Sequence, residues 1–194
     1  MNYLSHFYLS AEADDDVHLG NFLGDIVSKS ESDLLPEPVK KGVELHRFID
    51  HFTDNHPLVL VGKRLLYPDF GKYASVVLDV YFDFLLIERW DDFSAQALEP
   101  FLQECYQFIR AHQPTIPITV WPQVHAMIEG QWMNGYLTTA GRLNLFARLA
   151  RRAKYDKNFD IALDIYETHR DALRDLHHQF FPELMDACGK RTFS

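Results

Sequence analysis

The stretch from Gly71 to Trp90 constrains the fold more than any other in the chain. It is apolar nearly all round: Val76, Val77, Leu78, Val80, Tyr81, Phe82, Phe84, Leu85, Leu86 and Ile87 follow one another with few polar interruptions. A helix without a polar face has to run through the interior. Yet this one carries two acids one turn apart, Asp79 and Asp83. An ionised carboxylate in an apolar interior costs several kcal/mol unless it is paired or coordinates a metal. Two on one face also repel each other, which raises at least one pKa. The segment therefore predicts a buried helix whose acids either meet a cation, form structural ion pairs with Arg47, Arg64 or Arg89, or face solvent at one edge.

The rest of the chain agrees with an all-α fold. Breaks fall at Asp14-Asp15-Asp16, Ser28 to Pro38, Asn55-His56-Pro57, Tyr67-Pro68-Asp69, Pro114 to Pro117 and Pro182. Between them apolar residues recur at helical spacing, and strand-like alternation is missing. The spacing predicts helices over 2–10, 17–28, 37–53, 57–66, 71–90, 94–112, 121–134, 138–153 and 159–188. The length of 194 residues suits one domain spanning 1–194, and 47% hydrophobic residues supply its core.

A net charge of −9 argues against a nucleic-acid binder. Cys105 and Cys188 are the only cysteines, too few and too far apart for a disulfide framework or a thiolate zinc site. The opening MNYLSHFYLS has no signal-peptide pattern, and no run approaches the length needed to span a bilayer. A cytoplasmic location is the expectation.

Potential ligands, or groups that support ligands, recur at i, i+4 in five places: Asn2 and His6, Asn21 and Asp25, His46 and Asp50, Asp50 and Asp54, Asp79 and Asp83. Four residues advance about 6 Å along a helix and return within about 40° of the same face, so such pairs can converge on one ion. Helical bundles build metal sites this way. Imidazoles from His6 and His46 with carboxylates from Asp25, Asp50 and Asp79 form a mixed N/O set, suited to Mn, Fe, Zn or Ni rather than calcium. His51 and His56 read as surface or capping groups at a helix end.

The strings MNYLSHFYLS, GNFLGD, ELHRFIDHFTDNHP and LDVYFDFLLIERW, with GQWMNGYL and ARLARRAK further on, are similar in order and spacing to those of acyl carrier protein phosphodiesterases, a divergent branch of the HD phosphohydrolases. The resemblance implies a single-domain helical bundle of HD type and a divalent metal, most often manganese, with Fe, Zn, Ni or Mg as alternatives. Carried over by position, the ligands are His6, Asp25, His46, Asp50, Asp79 and Asp83. Ordinary HD enzymes have His followed directly by Asp. Here Arg47 follows His46 and the acid comes at Asp50, which leaves open which carboxylate binds and whether one ion or two is held. The implied reaction frees 4′-phosphopantetheine from the serine of holo acyl carrier protein. In it Arg47 is the candidate to grip a phosphate oxygen, and the candidate acid is His51, or Asp54 if its pKa is raised.

Six of the chain's 19 Lys and Arg, namely Arg142, Arg148, Arg151, Arg152, Lys154 and Lys157, fall between positions 142 and 157 against one acid, Asp156. Of these, Arg148, Arg151, Arg152 and Lys154 are expected to dock the acidic carrier protein. The plainer reading is a solvated helix end whose charges complement its dipole. Trp132 and Tyr136 either line a channel for the pantetheine arm or pack in the core. Two other functions remain open at this stage: an HD-type hydrolase of a nucleotide or small phosphoester, and a non-catalytic helical interaction module. Oligomeric state cannot be read from the sequence.

Overall fold

The computed structural model describes residues 1–154 and 158–191. Eleven α-helices run in chain order among them: α1 (Tyr3–Leu9), α2 (Asp15–Leu23), α3 (Lys29–Ser32), α4 (Glu37–Asn55), α5 (Pro57–Phe70), α6 (Ala74–Glu88), α7 (Trp90–Phe93), α8 (Leu98–Ala111), α9 (Trp121–Glu129), α10 (Thr139–Arg152) and α11 (Ala162–Gly189). Short 3-10 turns cover Gly71–Tyr73, Gln113–Thr115 and Trp132–Leu137. No strand occurs among the described residues, and no helix is long and apolar enough to cross a membrane.

Two expected helices are broken. The segment predicted over 17–28 ends at Leu23, and Ser28 opens α3 through a reciprocal capping box with Glu31. The segment predicted over 121–134 ends at Glu129, because Gln131 takes a left-handed φ of 43° before the turn Trp132–Leu137. Periodicity ran through both breaks, since apolar residues continue on either side.

Helix α6 lies in the core as its composition demands. Val77, Leu78, Tyr81, Phe82, Phe84, Leu85 and Leu86 are fully buried. It packs on α1, α5, α11 and the turn Trp132–Leu137. Val76, by contrast, is exposed and faces a cleft.

The tightest packing joins α2 to α4. A methyl group on Gly20 would stand 1.9 Å from the Val39 carbonyl oxygen, and one on Gly42 would stand 2.1 Å from that of Val17. Only hydrogen fits at that crossing. Gly24 performs the same service one turn on, where a Cβ would meet the His46 ring at 2.2 Å. The glycines of the GNFLGD string thus set α2 directly against the face of α4 that carries His46.

Helix α11 buries His177 among aromatic rings, stacked on Phe181 at 4.8 Å with Phe82 at 5.2 Å and Phe93 at 6.0 Å. Neither ring nitrogen has a hydrogen-bond partner. Burial pushes its pKa down to about 3. Unfolding frees the ring to bind a proton near pH 6.5, so this residue lowers stability progressively as pH falls from about 6.5 toward 3. His177→Phe should shallow the acid limb of the stability curve by at most about 1.4 kcal/mol per pH unit, the yield of one proton. Urea unfolding followed between pH 4 and 7 checks this; an unchanged slope refutes it.

Candidate metal centre and active-site cleft

Three helices deliver the centre: His6 from α1, Asn21 from α2, and His46 with Asp50 from α4. One ligand atom from each of His6, His46 and Asp50 falls within 4.8 Å of the others. The two imidazoles stack with ring centroids 3.9 Å apart and planes 10° from parallel. His6 Nε2 is 3.2 Å from Asp50 Oδ1, and His46 Nε2 is 3.2 Å from Asp50 Oδ2. Asp25, just beyond α2, brings Oδ1 to 3.2 Å from the same His46 nitrogen.

The other ring edges explain why a cation belongs here. His46 Nδ1 lies 2.8 Å from the main-chain carbonyl oxygen of Asn21, which can only accept, so Nδ1 carries the proton. His46 Nε2 therefore presents its lone pair to two carboxylates. It lies within 3.2 Å of both and is aligned for a hydrogen bond with neither. Lone pairs facing one another are repulsive unless a positive charge sits between them. Burial alone would lower the pKa of His46, yet Asp25 and Asp50 outweigh it and hold the ring at about 9. Positive charge is drawn to that nitrogen, as a proton or as a metal ion. Burial pushes His6 down to about 4, leaving it a neutral donor at pH 7. Burial would raise Asp50, but the two imidazoles hold it far below the usual carboxylate range.

Asp79 completes the acidic floor. Its Oδ1 has no hydrogen-bond partner and lies 3.3 Å from the α-ammonium group of Met1, which is 3.1 Å from Asp50 Oδ1. The two carboxylates thus share a cation between them. Burial raises the pKa of Asp79. His6, His46 and Asp50 form a group that could hold a metal ion, with Asp25 and Asp79 beside it and no hydrogen bond made by His46 Nε2 or Asp79 Oδ1.

Asp83, expected as a sixth ligand, is not brought to this cluster. Its carboxylate accepts from Leu4 N at 3.1 Å, from Ser5 N at 3.0 Å and from Ser5 Oγ at 2.5 Å. The two backbone N–H groups are free donors of the first turn of α1, whose N-cap Asn2 makes no side-chain cap. Asp83 caps α1 from a neighbouring helix. Each such bond to a charged group contributes about 1.5–3 kcal/mol, enough to offset several kcal/mol of burial cost. Burial still prevails in the pKa, raised to about 7.

Beside the centre, sharing Asp25 and Asp50 with it, opens a cleft of about 610 Å³ with three kinds of wall. Its floor is acidic, from Asp25, Asp50, Asp54 and Asp79; Arg148, Arg151 and Arg152 of α10 form a basic wall; Tyr3, Val76, Val80, Trp132, Leu145 and Leu149 form an apolar one. Arg148 stacks over Trp132, its guanidinium carbon 4.6 Å from a ring centroid. Tyr136 also lines the cleft, buried, with its hydroxyl accepting from Asn2 Nδ2 at 3.0 Å.

Other sequence candidates are placed elsewhere. Arg47 is exposed and does not line the cleft, because it stands one residue round α4 from His46. His51 is likewise exposed and outside the lining, with Asn55 against it. Asp54 does line the cleft and pairs with Lys63 at 2.7 Å. Lys154 is exposed beyond α10. Asp156 and Lys157 of the basic run lie outside the described residues. Asn21, which its spacing to Asp25 had marked, bonds both histidines of the centre. Reading from residue types separated the arginines of α10 from the acids with which they line the cleft.

The family described as acyl carrier protein phosphodiesterase matches residues 1–184 of the chain. Among similar proteins, the acyl carrier protein phosphodiesterase of Enterobacter sp. (strain 638) is 30% identical over 191 residues, spanning 95% of this chain and 96% of that protein. That of Yersinia pestis is 29% identical over 188 residues, spanning 95% and 96%. That of Photorhabdus laumondii is 27% identical over 195 residues, spanning 100% and 98%. No solved structure matches the chain.

The division between Asp50 and Asp83 is open to a direct check. Asp83→Asn sets an amide donor against the donors of α1 and should cost about 2–3 kcal/mol of stability, with binding of added divalent metal retained. Asp50→Asn should lose that binding. Thermal unfolding with metal titration reads both, and metal binding lost from Asp83→Asn without loss of stability would overturn the assignment.

Proposed function

The chain belongs to the acyl carrier protein phosphodiesterase family, and from that premise we propose that it hydrolyses the phosphodiester joining 4′-phosphopantetheine to the serine of holo acyl carrier protein, with a divalent cation at the His6–His46–Asp50 centre. The observation that carries this reading is the make-up of one cleft. An acidic floor that shares Asp50 with the two histidines, an arginine wall and an apolar wall meet in about 610 Å³.

Each wall suits one part of such a substrate. When bound, a divalent cation supplies Lewis acidity, lowering the pKa of a coordinated water and offsetting phosphoryl charge. His6, His46, Asp25, Asp50 and Asp79 would hold it, with manganese the first candidate from the family resemblance. Arg148 and Arg151 take the part first given to Arg47: their planar forks suit the non-bridging oxygens of a phosphodiester. The apolar wall around Trp132, Leu145 and Leu149 suits the pantetheine arm.

In the reaction a water oxygen bonds to phosphorus as the bond from phosphorus to the serine oxygen breaks in line with it. One proton leaves the water, and one must reach the serine oxygen, a poor leaving group without it. Asp54 is the group we assign to carry that proton, because it lines the cleft as a carboxylate paired with Lys63 at 2.7 Å and can take the proton from the water before passing it to the serine oxygen. His51 is set aside for that role.

The basic wall extends the recognition to the protein part of the substrate. Arg151 and Arg152 are exposed at the end of α10 as well as lining the cleft, so an acidic carrier protein docking there brings its serine to the centre. Incubation with holo acyl carrier protein should yield the apo mass, a product lost with chelator and restored with manganese. Arg151→Glu with Arg152→Glu should raise KM for the carrier protein by about tenfold or more, the equivalent of 1.4 kcal/mol, with a smaller fall in kcat. Absence of the apo mass would refute the activity, and an unchanged KM would refute docking at α10.

A further inference from the structure

We propose that Asn21 is a positioning residue for the centre: its side-chain and main-chain carbonyls each take the Nδ1 proton of one histidine, and so aim the Nε2 lone pairs of both His6 and His46 at Asp50. This rests on the reading that the centre holds a divalent cation.

The geometry leaves little freedom. Asn21 is fully buried. Its amide nitrogen lies 2.7 Å from the main-chain carbonyl oxygen of His6, which can only accept, and 2.8 Å from Ser10 Oγ. Those two contacts fix which end of the amide is nitrogen. The opposite end, Oδ1, is 3.0 Å from His6 Nδ1 and can only accept, so that ring nitrogen bears the proton. Ser10 ties the arrangement back to α1, its hydroxyl donating to the His6 carbonyl at 2.9 Å. The main-chain carbonyl of the same Asn21 is 2.8 Å from His46 Nδ1. One residue of α2 thereby sets the tautomer of two rings carried by two other helices.

The consequence is electronic as well as geometric. Histidine ligands owe ring orientation and basicity to the partner of the nitrogen that does not bind, and losing that partner weakens metal binding by about 10–100-fold. The two histidines depend on Asn21 differently. His6 uses its side chain, so any substitution other than a retained acceptor removes the partner. His46 uses its backbone, which every substitution keeps. That asymmetry separates positioning from collapse of α2.

Metal-stripped full-length protein is titrated with manganese and zinc against a competing chelator, and the zinc-loaded protein, labelled with 15N in its imidazoles, is examined by long-range nitrogen–proton correlation. Asn21→Leu should raise the Kd about 10–100-fold and strip the Nδ1–H signature from His6 alone, leaving His46 as in the wild type. Asn21→Asp keeps an acceptor at Oδ1 but loses the donor to the His6 carbonyl, so it should restore the His6 signature and recover part of the affinity lost in Asn21→Leu. It decides the matter should the leucine variant fail to fold. A wild-type Kd in Asn21→Leu, equal disturbance of both histidines, or no recovery in Asn21→Asp would overturn the role. If the wild-type chain binds neither ion, the metal reading itself falls, and this inference with it.

Discussion

Backbone contact between α2 and α4 governs the cleft, because the centre is assembled across that crossing. Gly20 and Gly42 let the two helices meet with no side chain between them, and Gly24 clears the space into which the His46 ring projects. With α2 that close, the Asn21 carbonyl stands 2.8 Å from His46 Nδ1 and its amide reaches His6 on α1. A spacer of one methyl group at Gly42 would push against the Val17 carbonyl and carry Asn21 away from both rings. Close packing and ligand geometry are here a single constraint, since protein interiors give way little to added volume.

The acids of α6 show how a helix through the core can afford charge. Asp79 and Asp83 share a face, yet they meet opposite needs. Asp83 spends its oxygens on the first turn of α1, which has no cap of its own. Asp79 points into the cleft beside Asp50, where a cation answers it. Since α1 also carries His6, the capping by Asp83 helps to hold one imidazole in place while remaining outside the cluster.

The arginines of α10 have a double position that neither reading of the basic run foresaw in full. They lie at the end of a helix, as a solvated terminus would, and they also form one wall of the cleft opposite four carboxylates. Arg148 is held flat on Trp132, which keeps a guanidinium beside the apolar wall. Charge of both signs around one opening is what a phosphodiester on an acidic protein calls for. The family matched over residues 1–184 is consistent with that demand.

Much of this was legible in the residues. Uninterrupted apolar character placed α6 in the core, and i, i+4 spacing paired His46 with Asp50 on one face of α4, because a helix returns to the same side every four residues whatever surrounds it. Composition and spacing also marked His6, Asp25 and Asp79 as groups in want of a cation. What spacing cannot tell is which neighbour arrives at a given face. Asp83 matched the pattern as well as Asp79 did, and only the approach of the uncapped α1 engages its oxygens with Leu4 and Ser5. Arg47 sat beside His46 in the chain but points elsewhere, about 100° round the helix, while Arg148 and Arg151, a hundred residues on, face the same opening. Local periodicity is a property of the chain itself; the pairing of one helix's donors with another's acceptors exists only once packing has chosen the distance between them.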